Sequence, residues 1–446
     1  MLSGIYCLIK KRESLLNLLK MVHGKLLIIS LLATFMVFFN CQKSGKENEF
    51  PNAINIQLKN PIKLKRQNAP VKLKIAQIKE KDPNFNPSSF IIVYKGRELA
   101  YQLIDANDDA KNDIIFITPD LEFESQGAIQ IRYTDKDVKQ PEYTPETQAL
   151  VAHKVDYEYK DGKYMGGYFK DFQYVRVPDR HRDHDAYFRF EGPGWESEMI
   201  AYRLYLDQRN TIDIFGKKTG ELVLQKIGVN DLTGQDDSYH NMQDWGMDIL
   251  KVGPSLGIGT IAGWHNNEVH KVSQTDSVTC EIIENGPLQS TVKLNYYGWQ
   301  LGENSYNLES RLSIASGSRL THHEVAFEDE YPSRLCTGLV KHPAASTVKG
   351  ENLNGAKWNY FATWGKQDIE GRRLGMVIFY RNDDLVKLTE DENSHILIFR
   401  NDVANLDYYF GAVWELEPEG IKTEAEFEKY LKTTVKKLSA PVEVIY

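Results

Sequence analysis

At 446 residues the chain is long enough for two or three domains with cores of their own. Its 41% hydrophobic, 26% charged and 11% aromatic residues exclude a disordered, collagen-like or coiled-coil protein. A net charge of −8 offers no broad basic surface to nucleic acid, and four cysteines are too few for a disulfide scaffold.

In chain order, the first element is an export signal. Met21-Val22-His23-Gly24-Lys25 is followed by an apolar run of 14 residues, Leu26 to Phe39. That run falls short of the roughly 20 residues a membrane span needs, and a cysteine ends it. Phe38-Phe39-Asn40-Cys41 resembles a bacterial lipobox, with Asn40 where Gly or Ala is usual. Residues 1–40 are therefore expected to be a lipoprotein signal peptide. Cys41 is the expected lipidation site, 41–60 a tether, and the location the cell envelope, anchored to the outer membrane on its periplasmic or surface face. An uncleaved anchor is the competing reading. The leader holds Lys10, Lys11, Arg12, Lys20 and Lys25 against Glu13, so the chain from Cys41 onward carries −12.

Short alternating runs follow: Val71 to Ile75, Phe90 to Tyr94, Asp113 to Ile117 and Ala128 to Tyr133. Turn residues separate them, which predicts a small β-sandwich over 61–145, closed by the Pro141 to Pro145 linker. From 146 to 446 strand-like runs continue, among them Met199 to Tyr205, Thr211 to Phe215, Gln289 to Tyr297 and Leu320 to Phe327. So many strands without long helices predict a mostly β fold with a large two-sheet sandwich. One helix is expected near the end, Thr423 to Leu438, with Phe427, Tyr430, Leu431, Val435 and Leu438 on one stripe.

Several motifs bear on chemistry. Gly253-Pro254-Ser255-Leu256-Gly257 fits a hydrolase pattern, but the glycine-broken segment after it cannot supply the helix of a nucleophile elbow. Asp105, Asn107 and Asp109 place oxygen side chains at alternate positions, like half of a structural calcium loop, although Ala110 replaces the usual glycine. A solvated acidic hairpin is the simpler reading. His181 to Asp185 and the pair His322-His323 could ligate metal, yet a strand sends His322 and His323 to opposite faces. The polar, aromatic stretch Asp236 to Asp248 has no period and reads as a loop. It offers Tyr239 and His240 as an acid/base pair and Trp245 as a platform for a sugar ring. In the strand before it, Ala201, Arg203 and Tyr205 share one face, so Arg203 either pairs with a carboxylate or awaits an anion. Lys341 and His342 add a cation and an imidazole at a sheet end. Cys280 and Cys336 are the cysteines remaining beyond Cys41.

Gly194-Trp195-Glu196-Ser197, Ala201 to Tyr205, Ile212 to Lys217, Tyr239-His240, Asp244 to Asp248 and Leu250 to Gly253 resemble a family of envelope lipoproteins described as a domain of unknown function. Its members sit in polysaccharide-utilisation loci of Bacteroidetes. The resemblance covers most of 60–446. It implies a galactose-mutarotase-like supersandwich and, by its ulvan-pathway member, a dehydratase acting on uronate-containing oligosaccharides.

Such a reaction removes the C5 proton of a terminal uronate and expels the C4 hydroxyl, so a cation must stabilise the enolate-like carboxylate. Arg203 is the first expectation for that role and Lys341 the second. His240 and Tyr239 are expected to move protons, with His322, His323 and His342 in reserve. Trp245 and Trp195 would hold the sugar, and Asp244 or Glu196 would orient a histidine. No cofactor is expected, and the expected partner is a uronate-containing oligosaccharide, sulfated or not, rather than nucleic acid. Two other readings compete: a non-catalytic glycan-binding lipoprotein, and a glycoside hydrolase using Glu196, Glu198 or Asp248.

Overall fold

The computed structural model describes residues 48–105, 113–118, 120–122, 124–228, 237–350, 355–400, 405–418 and 420–446. Cys41, Asn107 and Asp109 lie outside the described residues, and with them the lipid anchor and most of the calcium loop. Among the described residues no helix is long and apolar enough to cross a membrane.

The chain divides into two compact units. The first comprises the described residues up to Asn55 together with Asn84–Glu98 and Ile129–Pro141. In it the strand Phe90–Tyr94 pairs antiparallel with Gln130 to Tyr133. Phe85 meets Phe90 and Tyr133 edge-on, at 5.4 and 5.6 Å.

The second unit holds Ile56–Pro83, Leu99–Ala128 and Glu142–Tyr446, and is mostly antiparallel β as expected. Two of its sheets form a sandwich. The six-stranded sheet runs in the order Tyr168–Phe172, Thr147–Val155, Gly194–Ser197, Ala201–Leu204, Ile212–Lys217 and Gly246–Asp248. The nine-stranded sheet has the long strands Gln289–Leu301, Asn304–Ala315 and Leu320–Phe327 at its centre. Between them lies the main core, where Trp195, Tyr202, Leu204, Ile212, Ile214 and Met247 meet Leu294, Leu312, Val325 and Phe410. Polar groups inside this layer are paired, as burial requires. Trp195 Nε1 donates to Thr321 Oγ1 at 2.8 Å, and the Tyr202 hydroxyl donates to the Arg319 carbonyl at 2.7 Å.

The helix Glu424–Ser439 covers the far face of the nine-stranded sheet. Thr423 caps it: its side chain accepts from the Glu426 N–H, while Glu426 reaches back to the Thr423 N–H. The predicted stripe is the buried one in part, with Phe427, Leu431 and Val435 inside, and Phe427 stacks on Trp364 at 5.1 Å. Removing Phe427 leaves a cavity that the sheet beneath cannot close. Phe427→Ala is expected to lower stability by about 3–5 kcal/mol, and Thr423→Ala by about 1 kcal/mol. Urea denaturation of the two variants checks the ordering, and equal losses would contradict it.

Candidate functional site

Alternation along the six-stranded sheet sends one set of side chains into the main core and the other outward. Register places Arg203 opposite Asp213 and Gly194, Ala201 opposite Phe215 and Glu196, and Phe215 opposite Asp248. These residues therefore share the outer face. Part of that face is apolar: Leu150, Ala152, Ala201 and Phe215 pack beneath Phe190, Val223, Leu224 and Tyr239. Glu196 fastens this cover. Its buried carboxylate takes Lys217 Nζ at 2.8 Å and the backbone N–H groups of Val223 and Leu224.

Arg203 is the centre of the polar part. Its guanidinium, 1% exposed, donates to Asp213 Oδ2 at 2.7 and 3.0 Å, to Asp248 Oδ2 at 2.6 Å and to the Tyr205 hydroxyl at 2.8 Å. Tyr239 stands 3.4 Å away and Glu191 3.6 Å away. Gly246 makes this approach possible. Its φ of 139° suits glycine, and a Cβ there would collide with the Gly216 carbonyl, so the chain passes closely and sets Asp248 beside Asp213.

A second guanidinium, Arg209, stacks 3.8 Å over the Tyr205 ring and is 20% exposed. It pairs with Asp183 and Glu191, each at 2.8 Å, and with Asp207. Two cations thus face five carboxylates: Asp183, Glu191, Asp207, Asp213 and Asp248. Burial pushes Asp213 up to about 6, with Asp248 adding to the shift and Arg203 opposing it. Burial also pushes on Glu191, but Arg203 and Arg209 hold it below its ordinary value. His184, Glu191 and Asn210 around this cluster all have positive φ, at 57°, 72° and 37°. Strain of this kind costs on the order of 1–3 kcal/mol per residue and concentrates where a site must hold its shape.

His240 is an accessible titratable group at the edge of this cluster, 45% exposed, with Nδ1 3.2 Å from Asp248 Oδ2. The hydrogen bond to Asp248 raises its pKa above the ordinary imidazole value, against burial. The Tyr239 ring lies 4.4 Å from the His240 ring, and burial pushes its phenol up to about 12 despite Arg203. The arrangement offers an imidazole that titrates above its usual range and a phenol that keeps its proton.

The structure thus brings together His240, Tyr239 and Arg203, with Trp245 alongside, edge-on to Phe215 at 6.0 Å. It does not bring the other candidates there. Arg203 itself is enclosed by carboxylates and cannot present a free cation to a ligand; Arg209 is the guanidinium with solvent access. Trp195 lies in the sandwich core on the opposite face. Glu196 is buried with Lys217, and Asp244 is exposed, so the carboxylate at His240 is Asp248. His322 stacks on Tyr409 at 4.3 Å and bonds Asp407 on the nine-stranded sheet. His323 is buried against Ser310, and burial drives it down to about 3. Lys341 pairs with Glu390, and His342 Nδ1 accepts from Ala344 N–H. Cys280 and Cys336 are buried free thiols.

Asp213, Glu191, Arg209 and Asp207 were not legible as site residues, and Asp183 stood out only within the metal-ligand run His181 to Asp185. Asp213 did carry a signal, as a lone charge in an apolar strand facing Arg203 across a hairpin. Arg209 carried none. Asp183, His184 and Glu191 bring three ligand atoms within 4.8 Å of one another. Arg209 Nη2 already sits on both carboxylates, so a guanidinium takes the position a metal ion would need.

Because Asp248 favours imidazolium, the stability His240 contributes is present below its unfolded value and is lost as pH rises through its higher folded value. Asp248→Asn is expected to lower the His240 pKa in an NMR titration, and an unchanged midpoint would contradict the pairing. Arg203→Met strands buried carboxylates and is expected to cost about 3–5 kcal/mol by denaturant unfolding.

A family model described as "Domain of unknown function (DUF4861)" matches residues 58–444. No curated protein matches the chain. Among solved structures, an alpha-mannosidase from Enterococcus faecalis V583 is similar at 11% identity and a TM-score of 0.45, over 88% of this chain and 46% of that one. A protein in the Glycosyl Hydrolase Family 38 from Enterococcus faecalis is similar at 10% identity and a TM-score of 0.46, over 88% and 47%. The chain spans about half the length of these structures.

Proposed function

The chain belongs to the DUF4861 family, and we propose that it is an envelope lipoprotein enzyme that dehydrates the terminal uronate of ulvan-type oligosaccharides. The observation that carries this reading is the pairing of an accessible His240–Asp248 dyad with a protonated Tyr239 beside a buried guanidinium. In it, His240 takes the C5 proton, and the pair of electrons forms the C4–C5 double bond. The C4–O bond breaks, and Tyr239 supplies the proton with which the hydroxyl leaves as water. Solvent carries the proton from His240 back to Tyr239 and restores both. Arg209, releasing Asp183, pairs with the uronate carboxylate as charge develops there, and Arg203 holds Tyr239, Asp213 and Asp248 in place. Trp245 borders the sugar. A lipid on Cys41 keeps the enzyme at the membrane, and no cofactor enters the reaction. The resemblance of Gly194 to Ser197 and of Asp244 to Asp248 to the family whose ulvan-pathway member is a dehydratase supports the choice of substrate.

The test is to incubate the protein with lyase-digested and intact ulvan-type oligosaccharides and to measure product mass and ultraviolet absorbance. Loss of one water with new absorbance is expected. His240→Ala and Tyr239→Phe should each lower turnover by about 10²-fold or more, and activity should rise with pH through the raised His240 value. Wild-type turnover in both variants overturns the assignment. Two shorter products would make it a hydrolase, and saturable binding at unchanged mass a binding protein.

A further inference from the structure

The loop 181–185 serves two places. Asp183 and His184 face the Arg209 cluster, whereas His181 and Asp185 fold inward. His181 is 4% exposed, with Nδ1 2.9 Å from Asp185 Oδ2. That carboxylate also accepts the N–H groups of Arg182 at 2.8 Å and Tyr187 at 2.9 Å. Serving the imidazole as an acceptor, it places a hydrogen on Nδ1, and in the neutral ring Nε2 then carries the lone pair. Nε2 is buried and has no hydrogen-bond partner among the described residues. None of the proton transfers proposed above uses it.

His181 lines a cavity of about 390 Å³, a size that suits a small ligand. Its wall is rich in acceptors, with the carboxylates of Asp179, Asp207 and Asp276. Arg182 is the basic residue of the lining, and its Nη1 is turned to the carbonyls of Asp179 and His181. Val177, Leu206 and Val272 supply an apolar side. Asp179 already pairs with Arg176 at 2.9 Å and Asp207 with Arg209, while Arg182 donates from Nη1 to backbone carbonyls, so the cations near the wall have partners in the protein and its remaining acceptors suit a ligand rich in hydroxyl donors. The cavity adjoins the Arg203 cluster through Asp207, whose carboxylate also takes Arg209 Nε at 2.9 Å.

We propose that this cavity is a subsite for a neutral pyranose, with His181 Nε2 accepting one of its hydroxyls. It deepens the proposed function, and rests on it, by assigning a neighbouring non-uronate sugar of the oligosaccharide to a place of its own. Nε2 is buried although His181 lines the cavity, so engagement involves local side-chain adjustment.

The experiment is a titration of the full chain, labelled with ¹⁵N-histidine, with the methyl glycosides of glucose, mannose and xylose, and with glucuronate. A saturable shift of the His181 ring nitrogens by at least one neutral glycoside, and none by glucuronate, is expected. Asp276→Ala, on the cavity wall, should weaken that binding at least about tenfold. His181→Phe should abolish it, and His240→Ala should leave it unchanged. The proposal is overturned if no neutral glycoside gives a saturable shift, or if glucuronate binds there as well. It is also overturned if Asp276→Ala binds like wild type, a result that holds even where His181→Phe fails to fold. Mass analysis of the oligosaccharide reaction is read separately. Dehydration without glycoside binding overturns the subsite alone, and glycoside binding without dehydration overturns the enzyme assignment alone.

Discussion

A guanidinium buried to within 1% of full enclosure must be surrounded by negative charge, and Arg203 imposes that requirement on everything near it. Its carboxylate partners come from separate elements: Asp213 from the next strand, Asp248 from the strand beyond, and Glu191 from the loop leading into the sheet. Tyr205 and Tyr239 complete the shell. One cation thus ties two strands, a loop and the turn that carries His240. Asp248 passes the effect outward, since the same oxygen that meets Arg203 also meets His240. The acid/base properties of the exposed imidazole therefore depend on a charge that no ligand touches.

The six-stranded sheet separates support from chemistry by the alternation of its residues. Its inner face is apolar and packs on the nine-stranded sheet, with Trp195 and Tyr202 anchoring the contact through hydrogen bonds to Thr321, Arg319 and Ala412. Its outer face carries two buried ion-pair groups, Glu196 with Lys217 and Arg203 with Asp213 and Asp248. Glu196 holds a covering segment through backbone N–H groups, and Arg203 holds the polar pocket. The rigid inner layer lets the outer one sustain positive φ at His184 and Glu191. Membership of a family leaves the chemistry to be argued from this outer face, because a fold can carry many sites.

Much of this was legible along the chain. Alternation placed Arg203 and Tyr205 apart from Tyr202 and Leu204, which is how the sheet divides them. The apolar stripe of Thr423 to Leu438 located the terminal helix to within a residue, and opposite faces for His322 and His323 followed from a period of two. Tyr239 and His240 stood out as a polar, aromatic loop. Trp195 was expected to hold the sugar and Glu196 to orient a histidine, whereas both are buried, on opposite faces of one strand. Lys341 looked like a spare cation, but Glu390, some fifty positions away, takes it.

The sequence by itself determined a mostly β chain, the helix at the end and the face on which Arg203 lies. These depend on local periodicity and composition, which a single strand or helix already expresses. Only the tertiary structure decided which carboxylates meet Arg203, that Asp248 orients His240, and that Arg209 is the guanidinium with solvent access. Those outcomes depend on strand register and loop closure between residues tens of positions apart, and on burial, which removes one arginine from solvent and leaves the other in reach. Composition had already shown an acidic chain. The fold places the partly exposed guanidinium of Arg209 on a turn with no pattern of its own.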